Sequence, residues 1–200
     1  MDKQAKPDHP IQPLLTARWS PYAFADRAVA ADDLRALFEA ARWAPSSYNE
    51  QPWGYVVAEK RDAAAFERLL SCLEEANQAW AAAVPVLALG IVTLVFKRNG
   101  KPNRAAQHDL GLAAGNLVLE ATARGLVVHQ MIGIKPDRAR ELYAIPEGSE
   151  ALTGLAIGYV GDSQALPEKL RARDEAPRTR KSLADFVFAG RFGEAAPLVR

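Results

Sequence analysis

Two hundred residues, 49% of them apolar and 24% charged, supply enough material for one domain with a buried core. Lysine plus arginine number 25 against 24 for aspartate plus glutamate, and a net charge of +1 gives bulk electrostatics no hold on nucleic acid. The single cysteine, Cys72, excludes an internal disulfide framework and gives no support to a cysteine-based metal site.

Residues 1–13 carry three prolines and several charges and read as a mobile arm. They contain no apolar stretch of the kind a secretory leader needs. Next comes "RWSPYAF", 18–24, a loop string that places a fixed cation beside a hydroxyl. A helix is expected from Ala31 to Trp43. Leu34, Leu37, Phe38 and Ala41 share one face, Asp32 and Asp33 sit at its start, and Pro45 stops it. "APSSYNEQPW" is a polar loop and "WGYVVAE" a short strand. Residues 62–82 read as one helix with Phe66, Leu69, Leu70 and Leu73 on a common face, Cys72 packing within it. The apolar run 84–96 is shorter than the roughly 20 residues that span a bilayer, and is expected to be a buried strand. A cytoplasmic protein is therefore expected.

"KRNGKPN" marks an exposed turn. The helix expected from Gln107 to Arg124 is apolar nearly all round and carries Gly111, Ala113, Ala114 and Gly115, so burial on several sides, including a dimer interface, is expected. Gly125 ends it. Strands follow at 126–134 and 152–162, with a short helix between Pro136 and Pro146. The tail, 163–200, is polar and proline-rich, and is expected to wrap around a partner subunit. The order of elements gives an α+β domain over 14–193, flanked by the arm 1–13 and a tail 194–200.

No dinucleotide fingerprint, P-loop, nucleophile elbow or zinc-protease motif occurs. His9, His108 and His129 lack metal spacing, and Asp109 reads as a helix-start residue. Four polar islands remain. Arg18 with Ser20, and Arg178 with Arg180 and Lys181, present guanidinium forks suited to phosphate, or else simply solvated charge. Asn49 and Gln51, in a loop with Ser46 and Ser47, carry amides able to read the edge of a heterocycle, or else make a turn after Pro45. Gly133 in "HQMIGI" marks either a close ligand approach or the turn toward Pro136. Together the four would suit a flat, phosphorylated heterocycle.

In this order, "RWSPYAF", "APSSYNEQPW", "HQMIGI", "AIGYVGD" and "RTRKSL" resemble the FMN-dependent nitroreductase family, over about residues 14 to 193. The resemblance implies a nitroreductase-like α+β fold, a mixed, mainly antiparallel sheet surrounded by helices. It also implies a homodimer with FMN at the subunit interface and a C-terminal segment crossing to the partner. By position, Arg18, Trp19 and Ser20 match the phosphate and ribityl motif. Asn49 matches the asparagine at the pyrimidine edge, contributed by the other subunit, with Ser47, Tyr48 and Gln51 in the same loop. Ile132 and Gly133 match the segment whose N–H faces flavin N5, and Arg178 and Arg180 the phosphate clamp. The implied activity is ping-pong hydride transfer from NADH or NADPH through FMN to a small electron-poor acceptor such as a nitroaromatic or quinone. Other flavin chemistry on the same fold (dehalogenation, enone reduction, flavin breakdown) or a non-catalytic FMN-binding sensor stand as alternatives. No nucleic-acid, membrane or metal partner is implied. One position departs. The family carries Arg or Lys near flavin N1 and O2 where this chain has Tyr22, which predicts a lowered flavin potential that Tyr22→Arg would raise.

Overall fold

Helices cover both faces of a four-stranded antiparallel sheet in the computed structural model, which describes residues 3–199. The strands are β1 (Trp53–Glu59), β2 (Val86–Thr93), β3 (Val127–Met131) and β4 (Ser149–Gly158), in the order β1-β2-β4-β3. The helices are α1 (Pro13–Ala17), α2 (Ala31–Arg42), α3 (Ala63–Leu70), α4 (Glu75–Ala81), α5 (Ala106–Ala123), α6 (Pro136–Tyr143) and α7 (Glu168–Glu175). Among the described residues, no helix is long and apolar enough to cross a membrane.

β2 explains why its run is apolar without alternation. Val86 and Ala88 face a core with Leu34, Leu37, Leu117 and Val118 from α2 and α5. Leu87 and Leu89 face the opposite core with Phe66, Leu69 and Trp80 from α3 and α4. A strand covered on both faces has no wet side to mark with polar residues. It is shorter than the expected 84–96, because at Val95 the chain leaves the sheet to pair with Pro102 in a hairpin. β4 begins at Ser149, earlier than expected.

The single helix expected over 62–82 is two. Asp62 caps α3 by accepting from the Ala65 N–H, and the chain breaks at residues 71–74. There the Glu74 N–H donates to the Gly133 carbonyl, the Lys135 N–H donates to the Cys72 carbonyl, and Leu73 bridges Ile134. Backbone pairing across to a neighbouring segment replaces one helical turn. β3 stops at Met131, so Ile132 and Gly133 lie beyond the strand rather than in it.

At the described start of the arm, the Ala5 N–H donates to Thr16 O at 2.9 Å and Lys3 Nζ to Ala176 O at 2.7 Å. On α5, Leu110, Ala113, Ala114, Leu117 and Val118 are buried, but the positions of Gly111 and Gly115 face open space. Within one chain the helix is therefore covered on one side only.

Gly161 of "AIGYVGD" is explained by loop 18–24. A Cβ there would lie 2.4 Å from the Phe24 carbonyl carbon and 2.5 Å from its oxygen. Backbone cannot yield as a flexible side chain can. Gly161→Ala is expected to destabilise the fold by about 1–3 kcal/mol, the usual range for overpacking, read as a lower urea midpoint with unchanged slope.

Candidate functional site

Loop 18–24 lies along the edge formed by β3. His129 of β3 donates from Nδ1 to the Pro21 carbonyl at 2.8 Å, and Phe24 bridges Val160. Asp174 of α7 fixes the middle of the loop. Its carboxylate is 3% exposed and accepts the Tyr22 N–H at 2.9 Å and the Ala23 N–H at 3.0 Å. Nothing in the sequence announces this aspartate, because it sits in the charged run "RARDE" that reads as a solvated face.

The expected arginine cluster assembles across 160 residues of chain. Arg18 Nη1 donates to Ser20 Oγ at 3.2 Å. The Arg18 guanidinium has its pKa lowered by burial, then by the charges of Arg178 and Arg180. Arg178 is lowered likewise, by burial and by Arg180. Arg178 donates to the carbonyls of Lys3 and Thr16, and Arg180 to that of Thr179. Among the described residues none of the three has an acidic partner. Three mutually repelling cations, two of them partly buried, are an arrangement that an anion would relieve. Trp19 is half-buried beside Lys3, whose ammonium lies 5.2 Å from its ring centre.

Tyr22 continues the wall. Its ring stands edge-on to Trp80 of α4 at 5.2 Å and tilted against His129 at 4.6 Å. Trp80 Nε1 donates to Asn77 Oδ1 at 3.4 Å, and Asn77 Nδ2 donates to the Gly133 carbonyl at 2.9 Å. A chain of contacts thus runs from Tyr22 through Trp80 and Asn77 to Gly133, and the backbone of loop 18–24 joins it to Arg18 and Ser20. Sequence reasoning missed Asn77, Trp80 and His129 as members of this wall; each lies in a stretch with an ordinary helix or strand pattern. A Cβ at Gly133 would meet the Asn77 amide nitrogen at 2.6 Å, so a side chain there would displace the amide that bonds the Gly133 carbonyl. Next to it the Ile132 side chain is 77% exposed.

Burial holds the His129 pKa below its ordinary value, against the opposing hydrogen bond to Pro21 and the charge of Asp174. In the unfolded chain the imidazole takes its proton near pH 6.5, and in the folded chain only at lower pH. The unfolded state therefore binds more protons in that window, and stability falls as pH drops below about 6.5. A urea midpoint lower at pH 5.5 than at 7.5, with part of the difference removed in His129→Gln, is the expected result.

The second island, residues 46–51, is separate. Tyr48, Asn49 and Gln51 have φ of 53°, 55° and 51°. Three left-handed non-glycine residues in four positions store about 1–3 kcal/mol each, which surrounding contacts must impose. Asp109, 2% exposed in the first turn of α5, accepts the Ser47 N–H at 3.0 Å, and the Gln51 N–H donates to Ser46 Oγ at 3.0 Å. Asp109 is thus the anchor of this loop. Arg98 stacks over the Tyr48 ring at 4.5 Å. Gln51 Nε2 donates to Asn49 Oδ1 at 3.1 Å, which leaves Asn49 Nδ2 and Gln51 Oε1 without partners among the described residues. One outward donor and one outward acceptor suit the edge of a heterocycle. Among the described residues, no hydrogen bond, ion pair or ring contact joins this loop to the arginine wall, so the two polar islands stand apart within one chain. No cluster of His, Cys, Asp or Glu able to hold a metal ion is found there either.

Comparison with known proteins follows the same outline. A solved structure described as an oxidoreductase containing FMN is 36% identical and superposes with a TM-score of 0.90, covering 97% of this chain and 98% of its own. A nitroreductase family protein from Clostridium difficile 630, 23% identical, shares the fold with a TM-score of 0.69 over 90% of this chain and 97% of its own. A protein of Archaeoglobus fulgidus named "Putative NADH dehydrogenase/NAD(P)H nitroreductase" is 27% identical over 161 residues, 78% of this chain and 88% of its own. The nitroreductase family model matches residues 15–159, which include loop 18–24, loop 46–51 and Ile132–Gly133, with Arg178 and Arg180 beyond it. The chain belongs to the nitroreductase family.

Proposed function

We propose that this chain is an FMN-dependent oxidoreductase that takes hydride from NADH or NADPH and passes it to a small electron-poor acceptor, a nitroaromatic or a quinone. The observation that carries this reading is the cluster of Arg18, Arg178 and Arg180, which has no acidic partner among the described residues and shares loop 18–24 with Tyr22, the start of the Tyr22–Trp80–Asn77–Gly133 wall. The likeness to the FMN-containing oxidoreductase supports it.

The residues present fit FMN. The three guanidiniums and Ser20 would hold its phosphate, and the outward Asn49 amide donor and Gln51 acceptor would meet the edge of its ring system. Bound FMN would supply the hydride chemistry, which no side chain here could replace. The chain's own part is to bind and orient. Both buried carboxylates are committed, Asp174 to the N–H groups of Tyr22 and Ala23, and Asp109 to Ser47 and His108. His129 spends Nδ1 on Pro21. Neither buried carboxylate is free to work with His129 as an acid–base pair, which suits a reaction whose hard chemistry belongs to the cofactor.

The separation of the two polar islands, the open face at Gly111 and Gly115, and the exposed Phe186, Phe192 and Leu198 of the tail support a homodimer in which loop 46–51 of one subunit completes the wall of the other. Anaerobic mixing with NADH or NADPH tests the activity. The flavin absorbance is expected to bleach with at least one of them and to return when a quinone or nitroaromatic is added. Flavin that stays oxidised with both would favour a sensor, and flavin that is reduced but ignores both acceptors would favour another chemistry on this fold.

A further inference from the structure

We propose that Arg173 is a positioning residue of this site. Its guanidinium holds the Tyr22 hydroxyl as a donor toward bound ligand and supplies the positive charge that position 22 lacks. The inference rests on the flavin reading above and adds the residue that sets the local charge.

Consecutive residues of α7 grip Tyr22 from two sides. Asp174 takes its backbone N–H, and Arg173 Nη1 donates to its hydroxyl at 3.2 Å. A guanidinium has donors only, so the phenol oxygen must accept and its hydrogen is released to donate elsewhere. The ring cannot swing away to use that donor on solvent at will, because Trp80 and His129 hold it at 5.2 Å and 4.6 Å. Arg173 has no acidic partner among the described residues. Glu175, two residues on, accepts from Ser163 and Gln164 instead. Otherwise α7 is a polar helix with only Asp174 buried, so neither hydrophobic packing nor ion pairing accounts for Arg173.

Among the described residues, the titratable groups in direct contact with Tyr22 are His129, Asp174 and Arg173. His129 is kept neutral by burial at ordinary pH, Asp174 is negative and Arg173 is positive. Without Arg173, the charged group bonded directly to Tyr22 would be the buried Asp174 carboxylate, the wrong sign for a ligand that gains electrons. Reduced FMN carries more negative charge than oxidised FMN, so a cation here favours the reduced form. Arg173 is exposed, and solvent screening keeps the effect modest.

The test is the midpoint potential of bound FMN together with the affinity for oxidised FMN, in wild type, Arg173→Ala, Arg173→Lys and Tyr22→Phe. Arg173→Ala is expected to lower the reduced-to-oxidised affinity ratio three- to tenfold, tenfold being about 30 mV for a two-electron couple. Affinity for oxidised FMN and the urea midpoint should change little. Arg173→Lys should restore most of the ratio. Tyr22→Phe, which keeps the Arg173 charge and loses only the hydroxyl, should lose less than Arg173→Ala, and the double variant about as much as Arg173→Ala, since the hydroxyl acts through Arg173. An unchanged ratio in Arg173→Ala would overturn the proposal, as would equal losses in the alanine and lysine variants. If the wild type takes up no FMN, the flavin reading fails and this inference with it. If it binds FMN and the ratio ignores residue 173, only the role of Arg173 fails.

Discussion

Arg18→Ala is expected to weaken FMN binding about tenfold to a hundredfold while leaving the cofactor-free protein as stable as before, or slightly more so. The two halves of that expectation have one cause. A charge-assisted hydrogen bond to phosphate contributes about 1.5–3 kcal/mol, and Arg18 is the most enclosed of the three guanidiniums. In the absence of an anion the same group is a liability, partly desolvated and repelled by Arg178 and Arg180. Removing it relieves repulsion in the free protein and removes attraction in the complex. Titration of cofactor-free protein with FMN, followed by flavin fluorescence, gives the first quantity, and urea unfolding gives the second. Arg18→Lys should fall between, because a point charge cannot reproduce the fork. Loss of stability together with unaltered FMN affinity would make Arg18 a structural residue.

Asp174→Ala should damage fold and site together. The carboxylate is 3% exposed and satisfies two backbone donors of loop 18–24. Alanine leaves the N–H groups of Tyr22 and Ala23 without partners where water does not readily reach, at about 1–3 kcal/mol for each stranded group. We expect a loss of about 2–4 kcal/mol in urea unfolding, and FMN affinity reduced at least as far as in Arg18→Ala, because the strand of chain bearing Arg18, Ser20 and Tyr22 is no longer fixed. Asp174→Asn keeps an oxygen acceptor and should lose less than half as much. A stability change below about 0.5 kcal/mol in the alanine variant would show that the loop is held by its other contacts, His129 to Pro21 and Phe24 to Val160.

These two residues also show what could be read in advance. Arg18 stands in a string where neither a helix nor a strand is at home, and loops with a fixed cation and a hydroxyl invite an anion. Asp174 lies in a helix that is polar all round, and only the tertiary approach of loop 18–24 makes it the buried member. The helices α2 and α5 follow the apolar spacing of Leu34–Leu37–Ala41 and Leu110–Ala114–Leu117 because their own faces meet the core. The break between α3 and α4 has no such local sign. Apolar residues continue through it, and the helix is interrupted because Cys72 and Glu74 find backbone partners at Lys135 and Gly133. Gly133 is open to two readings in the sequence, ligand approach or turn, and only the fold shows that the Asn77 amide packs against it. Asp109 shows the opposite case: a carboxylate at a helix start was visible, but its service to the Ser47 N–H, 62 residues away, was not.

The account depends above all on the arginine cluster being a phosphate grip, and flavin binding compared with and without that phosphate tests it most directly. Cofactor-free protein titrated with FMN and, separately, with riboflavin should bind FMN at micromolar concentration or below and riboflavin at least a hundredfold more weakly, a gap that narrows sharply in Arg18→Ala. Equal affinity for the two flavins, or binding of neither by well-folded protein, would contradict the account.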